Sequence, residues 1–503
     1  MKSTQVTNFP KSFVWLVILL LTMLSRFFEL TNKPLHFDET INGWFVMQMK
    51  TLGYYKYDPN NYHGPLYFYL LQFFEFLWGR SVETLRSLPS VFSVLSVMIF
   101  SFPVIRSQAI RQGMMFFLFL SPAFLFYGRS GIHEMPFVFF QLVFALGVLR
   151  WLESRDAKAL AFLLTGLIGM MTLKETFVLT LASWFVGFWF LGWGELKRCF
   201  SLQSFKQAWS GRLTYLSALL LFVFVALFTG FFHNWMGLVD FVRAFLPWMK
   251  TGVGETGHNK EFLYWCKVLW EAEPLVLLGV VLAIVGLFMR DSRLRMVSAF
   301  SLTQLLVYSL IPYKTVWCIL SLVWGFYFVL AMFAEKVWQE QLWKKILFSL
   351  AILCGVVWGA KSSWSSVFRE PISLDHPYVY VNSTYELKDL ANIFDSVFSK
   401  NPELRKAPFQ IGLKEQWPWP WFLRNLEDAH WDLCGRNVIA KALVYMCDPQ
   451  DGPAVEEHMQ EPYMKIYIPF RQSRETSLVY LRKNVFDGVY LGQYEVVGPE
   501  QEK

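Results

Sequence analysis

Charged residues are scarce in this chain. Only 17% of its 503 residues are Asp, Glu, Lys or Arg, against roughly 25% in a soluble protein. Cysteine is scarce as well, and the six cysteines show no CxxC or other metal-ligand spacing, which argues against a zinc ribbon or a dithiol redox centre. The sequence has no internal repeats and no low-complexity tracts, which argues against a solenoid or a long disordered tail.

Hydrophobic and aromatic residues are abundant instead. They include 50 Phe and 22 Trp, the hydrophobic share is 54%, and the mean hydropathy is +0.34. This composition predicts a polytopic α-helical membrane protein. The net charge of +7 resides in short loops between apolar runs, where Lys and Arg set topology and attract anionic lipid. We therefore expect a lipid bilayer as partner and no nucleic acid.

Apolar runs recur along most of the chain, and a spanning helix needs about 20 mostly apolar residues. From the runs we expect about eleven transmembrane helices, with 65–79 as a re-entrant or partly inserted segment. Lys2 and Lys11 precede the first run, and no small-residue cleavage site follows it, which favours an uncleaved anchor. The runs are 12–30, 65–79, 86–105, 113–128, 136–150, 159–173, 176–193, 213–232, 274–290, 298–312, 315–334 and 346–362.

The sequence predicts two domains, because hydrophobic runs shorten and charged residues return from about residue 363. Basic loops alternate with loops poor in Lys and Arg from residue 86 onward, and this alternation places the C-terminal region outside the cytoplasm. We expect a multi-pass domain over 1–362 with an outer loop at 31–64, and an extracytoplasmic α/β domain over 363–503. Cys434 and Cys447 share that domain and could pair if it is exported; we expect free thiols. The elements expected there are strands at Tyr378–Val381, Phe409–Leu413, Met464–Ile468 and Leu478–Leu481, and a helix at Tyr385–Phe398.

Asp38 and Glu39 lie side by side in the outer loop that follows the first run. Ionisable residues at a membrane boundary are costly and mark a functional site by default. One of the two carboxylates could remove a proton from an acceptor hydroxyl, or hold a divalent metal. The alternative is an N-cap, because 39–52 has helical spacing and is expected to lie flat at the interface.

Other polar residues gather on the same predicted face. His63-Gly64-Pro65 opens the second run, where proline can start a helix and glycine allows close backbone approach. Arg129, His133 and Glu134 form a second outward cluster, which snorkelling would also explain for Arg129. Lys174 and Glu175 occupy the turn of an outward hairpin, where they could simply neutralise each other.

Two later loops add further candidates. His258 ends a Gly-rich stretch in the long loop 233–273, and with His63 and Glu134 it could complete a nitrogen–oxygen metal site. Tyr313 and Lys314 occupy another outward turn, where a lysine suits a lipid phosphate, or topological anchoring alone. The concentration of these residues on one face is the main indication of function.

The order of motifs resembles the GT-C glycosyltransferase superfamily. Asp-Glu after the first run, HGPLYFYLL, RSLPS and SPAFLFYGRSGIHEM follow the landmarks of protein O-mannosyltransferases and of the aminoarabinose transferase of lipid A. The later LKET, GHNKEFLYW, IPYKTVW and QWPWPWFLR look closer to the flippase-activity-associated proteins of archaeal N-glycosylation and their bacterial members.

The resemblance implies an inverting hexosyl- or pentosyltransferase of the cell envelope. Its donor would be a polyprenyl-phosphate sugar, and its acceptor a glycan, lipid or protein. Asp38 matches the family's catalytic acid, with Glu39 beside it, and Glu134 matches a second acidic position. His63-Gly64 departs from the family's charged residue before the second helix.

The remaining site positions also follow from the resemblance. His258 falls at a site histidine, while Tyr313 and Lys314 fit phosphate contact. The predicted substrate-binding residues are His63, Arg129, Glu134, Lys174, Tyr313 and Lys314. The alternative function is a non-catalytic protein that assists translocation of polyprenyl-phosphate sugars, in which the acidic pair is only a cap. A transporter is disfavoured, because paired broken helices and inverted repeats are absent.

Overall fold

The computed structural model describes residues 11–254, 258–471 and 475–499. Lys2 and part of the Gly-rich stretch before His258 lie outside the described residues. The chain divides into two compact units. The first unit comprises Met1–Thr31, Phe45–Pro371 and Asp375–Tyr378, and the second comprises Asn32–Trp44, Ile372–Leu374 and Val379–Lys503. Compared with the predicted limit after residue 362, the second unit additionally includes the segment that carries Asp38 and Glu39.

Helices dominate the chain up to residue 364, and the boundary between the units falls inside the second of them. They are α1 (Lys11–Phe27), α2 (Phe37–Leu52), α3 (Leu66–Trp78), α4 (Val82–Met98), α5 (Gln108–Leu120), α6 (Pro122–Tyr127), α7 (Glu134–Ser154), α8 (Ala157–Met171), α9 (Phe177–Trp189), α10 (Trp193–Cys199), α11 (Leu202–Ala208), α12 (Gly211–Phe228), α13 (Met236–Arg243), α14 (Phe245–Val253), α15 (Tyr264–Ala272), α16 (Pro274–Gly286), α17 (Ser292–Leu310), α18 (Ile319–Val337) and α19 (Leu342–Trp364).

Each of the twelve predicted apolar runs overlaps a helix. The run 113–128 is divided at Ser121, which ends α5 and caps α6, with Pro122 in the first turn. Within the described residues, five helices are long and apolar enough to cross a membrane, and five more are apolar but shorter. An integral membrane protein is therefore supported, whereas the predicted count of eleven crossings is not confirmed. Helix α3 has 13 residues, or about 20 Å at 1.5 Å per residue, and its partial insertion stays a prediction.

Helices α7 and α8 form a tight antiparallel hairpin. Arg155 ends α7 with a left-handed backbone, at φ 47°, and the Asp156 carboxylate caps α8 by accepting a hydrogen bond from the backbone N–H of Ala159 (2.9 Å). A Cβ added to Gly166 would lie 2.6 Å from the backbone N of Phe144, so only glycine permits this close helix approach. The hairpin brings the start of α7 beside the turn that follows α8.

The second unit contains a six-stranded mixed sheet in the order β2-β1-β3-β5-β4-β6. Strand β1 pairs in parallel with β2 and β3, and the other pairings are antiparallel. The strands are β1 (Phe409–Gly412), β2 (Ala429–His430), β3 (Val444–Cys447), β4 (Tyr463–Pro469), β5 (Thr476–Arg482) and β6 (Glu495–Val497), and the helices are α20 (Tyr385–Lys400), α21 (Trp419–Phe422), α22 (Gly452–Glu456) and α23 (Lys483–Phe486).

Helix α20 supplies the apolar face that packs in the core with the sheet. Leu387, Leu390, Phe394 and Val397 recur at helical spacing and are buried with the strand residues. The α/β character of this region follows the prediction, as do β1, β4, β5 and α20. The predicted strand Tyr378–Val381 is wrong, because Val381 has a positive φ of 47°, a conformation that a β-branched residue does not adopt in a strand.

Cys434 and Cys447 form a disulfide with a Cα–Cα separation of 5.8 Å. The expectation of free thiols is therefore wrong. Cys447 ends β3, which pairs in parallel with β1, and the loop between β2 and β3 returns Cys434 to that strand end. The sequence spacing of 13 residues gives no hint of this pairing, because it depends on the strand order.

Candidate functional site

Glu134 and Lys174 form a buried ion pair at one end of the α7–α8 hairpin. The ammonium of Lys174 donates a hydrogen bond to Oε1 of Glu134, and the two residues are 3% and 5% exposed. Burial lowers the pKa of Lys174, but the carboxylates of Glu134 and Glu175 beside it outweigh that effect and hold the pKa well above its ordinary value. Lys174 is therefore a cation, and it compensates a carboxylate that would be costly to bury alone.

His63 and Glu175 lie at the same end of the first unit. His63 Nδ1 is 3.4 Å from Oε2 of Glu175, and Glu175 is adjacent in sequence to Lys174. Two backbone hydrogen bonds fix the loop here, from Gly64 N to Leu173 O (2.9 Å) and from Leu66 N to Thr172 O (3.0 Å). The loop that opens α3 is therefore held directly against the turn between α8 and α9.

The glycine of the His-Gly-Pro motif is required by this approach. A Cβ on Gly64 would lie 2.2 Å from the carbonyl oxygen of Thr172, far inside van der Waals contact. Pro65 follows with φ −71°, the value its ring imposes, and α3 begins at the next residue. The predicted roles of glycine in close approach and of proline in starting a helix are confirmed here.

His133 completes the group that we call the charged cluster: His63, His133, Glu134, Lys174 and Glu175. Its ring centroid lies 4.1 Å from that of Tyr67 and 4.8 Å from that of His63. Burial, together with the charges of His63 and Lys174, holds the pKa of His133 well below its ordinary value, so the imidazole is neutral. Its Nε2 atom is buried and has no hydrogen-bond partner among the described residues.

Asp38 and Glu39 have different environments within the second unit. The Glu39 side chain is completely buried, and its Oε2 accepts a hydrogen bond from the backbone N–H of His36 (2.7 Å). The imidazole Nδ1 of His36 accepts from the backbone N–H of Asp38 (3.0 Å). His36 and Glu39 thus act as the N-terminal caps of α2. Asp38 is only partly buried. The burial of Tyr380, and to a smaller extent the charge of Asp38, raise the pKa of Tyr380 to about 12.

Two solved structures share this fold over nearly the whole chain. One is the crystal structure of ArnT from Cupriavidus metallidurans bound to undecaprenyl phosphate, with a TM-score of 0.61 at 10% identity, covering 96% of this chain and 99% of that one. The chain folds like ArnT. The apo structure of the same enzyme gives a TM-score of 0.58 at 11% identity, covering 96% and 100%. No family model and no curated protein sequence matches the chain.

The likeness to ArnT supports the predicted polytopic helical architecture with a C-terminal sheet domain. It does not support the closer placement with the flippase-activity-associated proteins. At this identity the likeness concerns the fold, so the roles of individual residues depend on the geometry of this chain.

The geometry changes the interpretation of three predicted residues. Lys174 and Glu175 do not neutralise each other; Lys174 pairs with Glu134 and Glu175 faces His63. The guanidinium of Arg129 donates to the backbone oxygens of Ser25, Arg26 and Glu29. It therefore caps the C-terminal end of α1, and we do not carry it into the proposed substrate site.

His258, Tyr313 and Lys314 form a separate group. The rings of His258 and Tyr313 are 5.2 Å apart, and Lys314 Nζ donates to the backbone oxygens of Ile311 (2.6 Å) and Lys260 (3.2 Å). Burial lowers the pKa of Lys314. The structure does not bring His258 together with His63 and Glu134 as metal ligands, and within the described ranges no group of three or more His, Cys, Asp or Glu side chains is arranged to hold a metal.

Glu273 forms a second buried polar centre in the first unit. Its Oε1 accepts hydrogen bonds from the Ala123 backbone N–H (2.6 Å), Ser121 Oγ (3.2 Å) and Tyr378 Oη (2.8 Å), and its Oε2 accepts from Tyr327 Oη (2.7 Å). Burial raises the pKa of Glu273 to about 7, and the four donors oppose that shift. Through these bonds the carboxyl group at the start of α16 connects the N-terminus of α6 with Tyr327 of α18 and with Tyr378.

Sequence reasoning assigned no role to Glu273 or to the imidazole of His133. Glu273 stands next to Pro274, at the start of an apolar run, and looks like a helix-starting residue. His133 was noted only as a neighbour of Glu134. An acidic residue that directly precedes a membrane-length apolar run is a signal that could have drawn attention to Glu273.

Proposed function

We propose that the protein is a membrane glycosyltransferase that moves a sugar from a polyprenyl-phosphate donor to an acceptor on the extracytoplasmic face. The observation that carries the proposal is the full-length likeness to a structure of ArnT bound to undecaprenyl phosphate. The charged cluster supports it, because a buried Lys174–Glu134 pair with a histidine at either side is a costly arrangement that structural packing does not need.

Asp38 is the proposed base. It is the member of the acidic pair whose carboxylate is not the buried cap of α2, whereas Glu39 is held by the His36 backbone. In the proposed step Asp38 takes the proton of an acceptor hydroxyl while the acceptor oxygen attacks the anomeric carbon. The bond from that carbon to the phosphate oxygen breaks, polyprenyl phosphate leaves as the anion, and the single displacement inverts the anomeric configuration.

Lys314 and Tyr313 remain the proposed contacts of the leaving phosphate. An ammonium has three protons, and the Lys314 ammonium places two hydrogen bonds on carbonyl oxygens, which leaves one proton for a phosphate oxygen. Such a contact would stabilise the charge that develops on the leaving group. The reaction as written needs no metal.

The disulfide supports the extracytoplasmic location of the second unit. Disulfides persist in oxidising compartments and are rare in the cytosol, and Cys434–Cys447 is formed here. The sugar is proposed to be a hexose or pentose, and the acceptor a glycan, a lipid or a protein. Within the superfamily, the order of the later motifs supports our placement near the flippase-activity-associated branch.

The test uses purified full-length protein in lipid nanodiscs, radiolabelled polyprenyl-phosphate hexose and a membrane extract as acceptor. Because a general base contributes about 10²–10⁴-fold to rate, Asp38→Asn is expected to lower label transfer at least about 100-fold while donor binding is retained. Asp58→Asn is the matched control. Asp58 is an exposed carboxylate in the loop between α2 and α3, and it accepts a hydrogen bond from the backbone N–H of Asn60.

Two outcomes would overturn the assignment. If Asp38→Asn transfers label as fast as wild type, Asp38 is not the base. If wild type and variant bind donor equally and neither consumes it with any acceptor fraction, the transferase proposal fails, and a protein that assists translocation of the lipid-linked sugar becomes the better account.

A further inference from the structure

The imidazole of His133 has a buried polar atom whose hydrogen bond is unmet within the part of the chain that the structure describes. His133 is 3% exposed, and its Nε2 has no partner among the described residues. Buried polar atoms are almost always hydrogen-bonded, and an exception needs an explanation. Leaving such an atom unpaired destabilises the protein, so a missing partner is a sign of a ligand.

The surroundings of His133 fix the ring. Tyr67, His63 and Phe68 lie around it with centroid distances of 4.1, 4.8 and 5.1 Å. The residue precedes α7 directly, and Glu134, which follows it, is held by the Lys174 ion pair. The neighbouring aromatic rings therefore fix the imidazole, and the ion pair of Glu134 fixes the adjacent backbone. This is the arrangement expected of a preorganised contact.

The charge of the cluster indicates what kind of ligand group fits. Two carboxyl groups (Glu134 and Glu175) accompany one ammonium (Lys174) in the cluster, so it has no excess of cationic side chains. A phosphodiester is an anion and would be repelled or at best not attracted here. A sugar hydroxyl is uncharged and can both donate and accept, which suits a neutral imidazole.

We propose that His133 forms a hydrogen bond with a hydroxyl group of the donor sugar, so that the charged cluster is the sugar subsite for an uncharged glycosyl group. This inference rests on the proposed function, since it assumes a lipid-linked sugar as ligand. It assigns the sugar part of the donor to the cluster and leaves the phosphate to the contacts proposed above, Tyr313 and Lys314.

The experiment measures equilibrium binding to full-length protein in nanodiscs with three probes: polyprenyl phosphate, polyprenyl-phosphate mannose, and polyprenyl-phosphate 4-amino-4-deoxyarabinose. Wild type is expected to bind the mannosyl lipid more tightly than the bare lipid. His133→Ala should weaken binding of the mannosyl lipid about 3- to 10-fold, the effect of one neutral hydrogen bond, and leave binding of bare polyprenyl phosphate unchanged. His133→Gln, which keeps a neutral donor and acceptor, should restore part of the difference.

The control is His233→Ala, because His233 is also an imidazole stacked on a tyrosine, Tyr54, at 4.9 Å, but it lies outside the charged cluster. Melting temperatures of all variants separate lost binding from lost folding. If His133→Ala folds poorly, the comparison rests on His133→Gln and on its ratio of mannosyl-lipid to bare-lipid affinity. A ratio equal to that of wild type in His133→Ala, or an equal loss for both lipids, would overturn the proposal.

The third probe addresses the charge of the sugar. Tightest wild-type binding of the amino-sugar lipid would show that the cluster selects a cation and would overturn the assignment to an uncharged glycosyl group. The binding measurements do not depend on turnover, so a failed transfer assay leaves them interpretable. Absence of binding for all three lipids to wild type would instead overturn the proposed function itself.

Discussion

The ammonium of Lys174 donates to the carboxylate of Glu134, forty residues earlier in the chain, and not to Glu175 beside it. Because the two partners stand at opposite ends of the α7–α8 hairpin in sequence, their ion pair depends on the packing of both helices. It therefore reports directly on whether this end of the hairpin is assembled.

Removal of one partner of this pair is expected to destabilise the protein strongly. Lys174→Met and Glu134→Gln each leave the other group buried without compensation, which costs about 3–5 kcal/mol in buried pairs. The double variant should be less destabilised than the sum of the single variants. Thermal unfolding in nanodiscs measures all three. The exposed pair Lys344–Glu340 is the control, where the same changes should leave the melting temperature nearly unchanged. Additive single effects at residues 134 and 174 would contradict a coupled pair.

Gly64→Ala is expected to lower stability by about 1–3 kcal/mol, the usual cost of overpacking. The added methyl group would lie 2.2 Å from the backbone oxygen of Thr172, which cannot move without displacing the turn before Lys174. Gly194→Ala is the matched control, because a Cβ there meets nothing within 4 Å. Equal melting temperatures for Gly64→Ala and wild type would show that the loop is not held as described.

Glu273 predicts a loss of stability with rising pH. Its pKa is about 7 in the folded protein, above the ordinary 4.5, so its contribution is fully present below pH 4.5 and is lost as pH rises to 7. The shift corresponds to about 3 kcal/mol. Between pH 5 and pH 8, the melting temperature of wild type should fall by more than that of Glu273→Gln, which cannot ionise. Glu83→Gln, at an exposed site, should behave as wild type. A pH dependence unchanged in Glu273→Gln would contradict this role.

The disulfide predicts a protein that resists thiol labelling at two positions. In whole cells that express the full chain, Cys434 and Cys447 should react with a maleimide reagent only after reduction, whereas exposed Cys266 in the predicted outer loop needs no reductant. A variant that lacks the other four cysteines isolates the signal. Cys434→Ser should free Cys447 and lower stability by about 3 kcal/mol, the value for a loop of about 15 residues. Labelling without reduction would place the second unit in a reducing compartment.

Much of the fold could be predicted from the sequence because apolar runs and helical spacing are local signals. All twelve runs overlap helices, and the close approach at Gly64 followed from the motif alone. The partners of Lys174 and Glu175 could not be predicted, since adjacent residues in a turn point to different neighbours. The pairing of Cys434 with Cys447 depends on the order of strands, which the sequence pattern does not encode. Asp38 and Glu39 looked equivalent, and only the hydrogen bond to His36 distinguishes the cap from the proposed base.

The four donors around Glu273 have a consequence for biosynthesis. Three of them come from Ser121, Ala123 and Tyr327, but the fourth is the hydroxyl of Tyr378, which follows the last long apolar helix, α19, by fourteen residues of chain (364 to 378). The carboxyl group therefore lacks one of its partners while a ribosome is still delivering that helix to the translocation machinery. The helical unit can complete its interior only after its final span has been inserted and the chain beyond it has been released, so a nascent chain truncated before residue 378 would carry an incompletely bonded acid in its core.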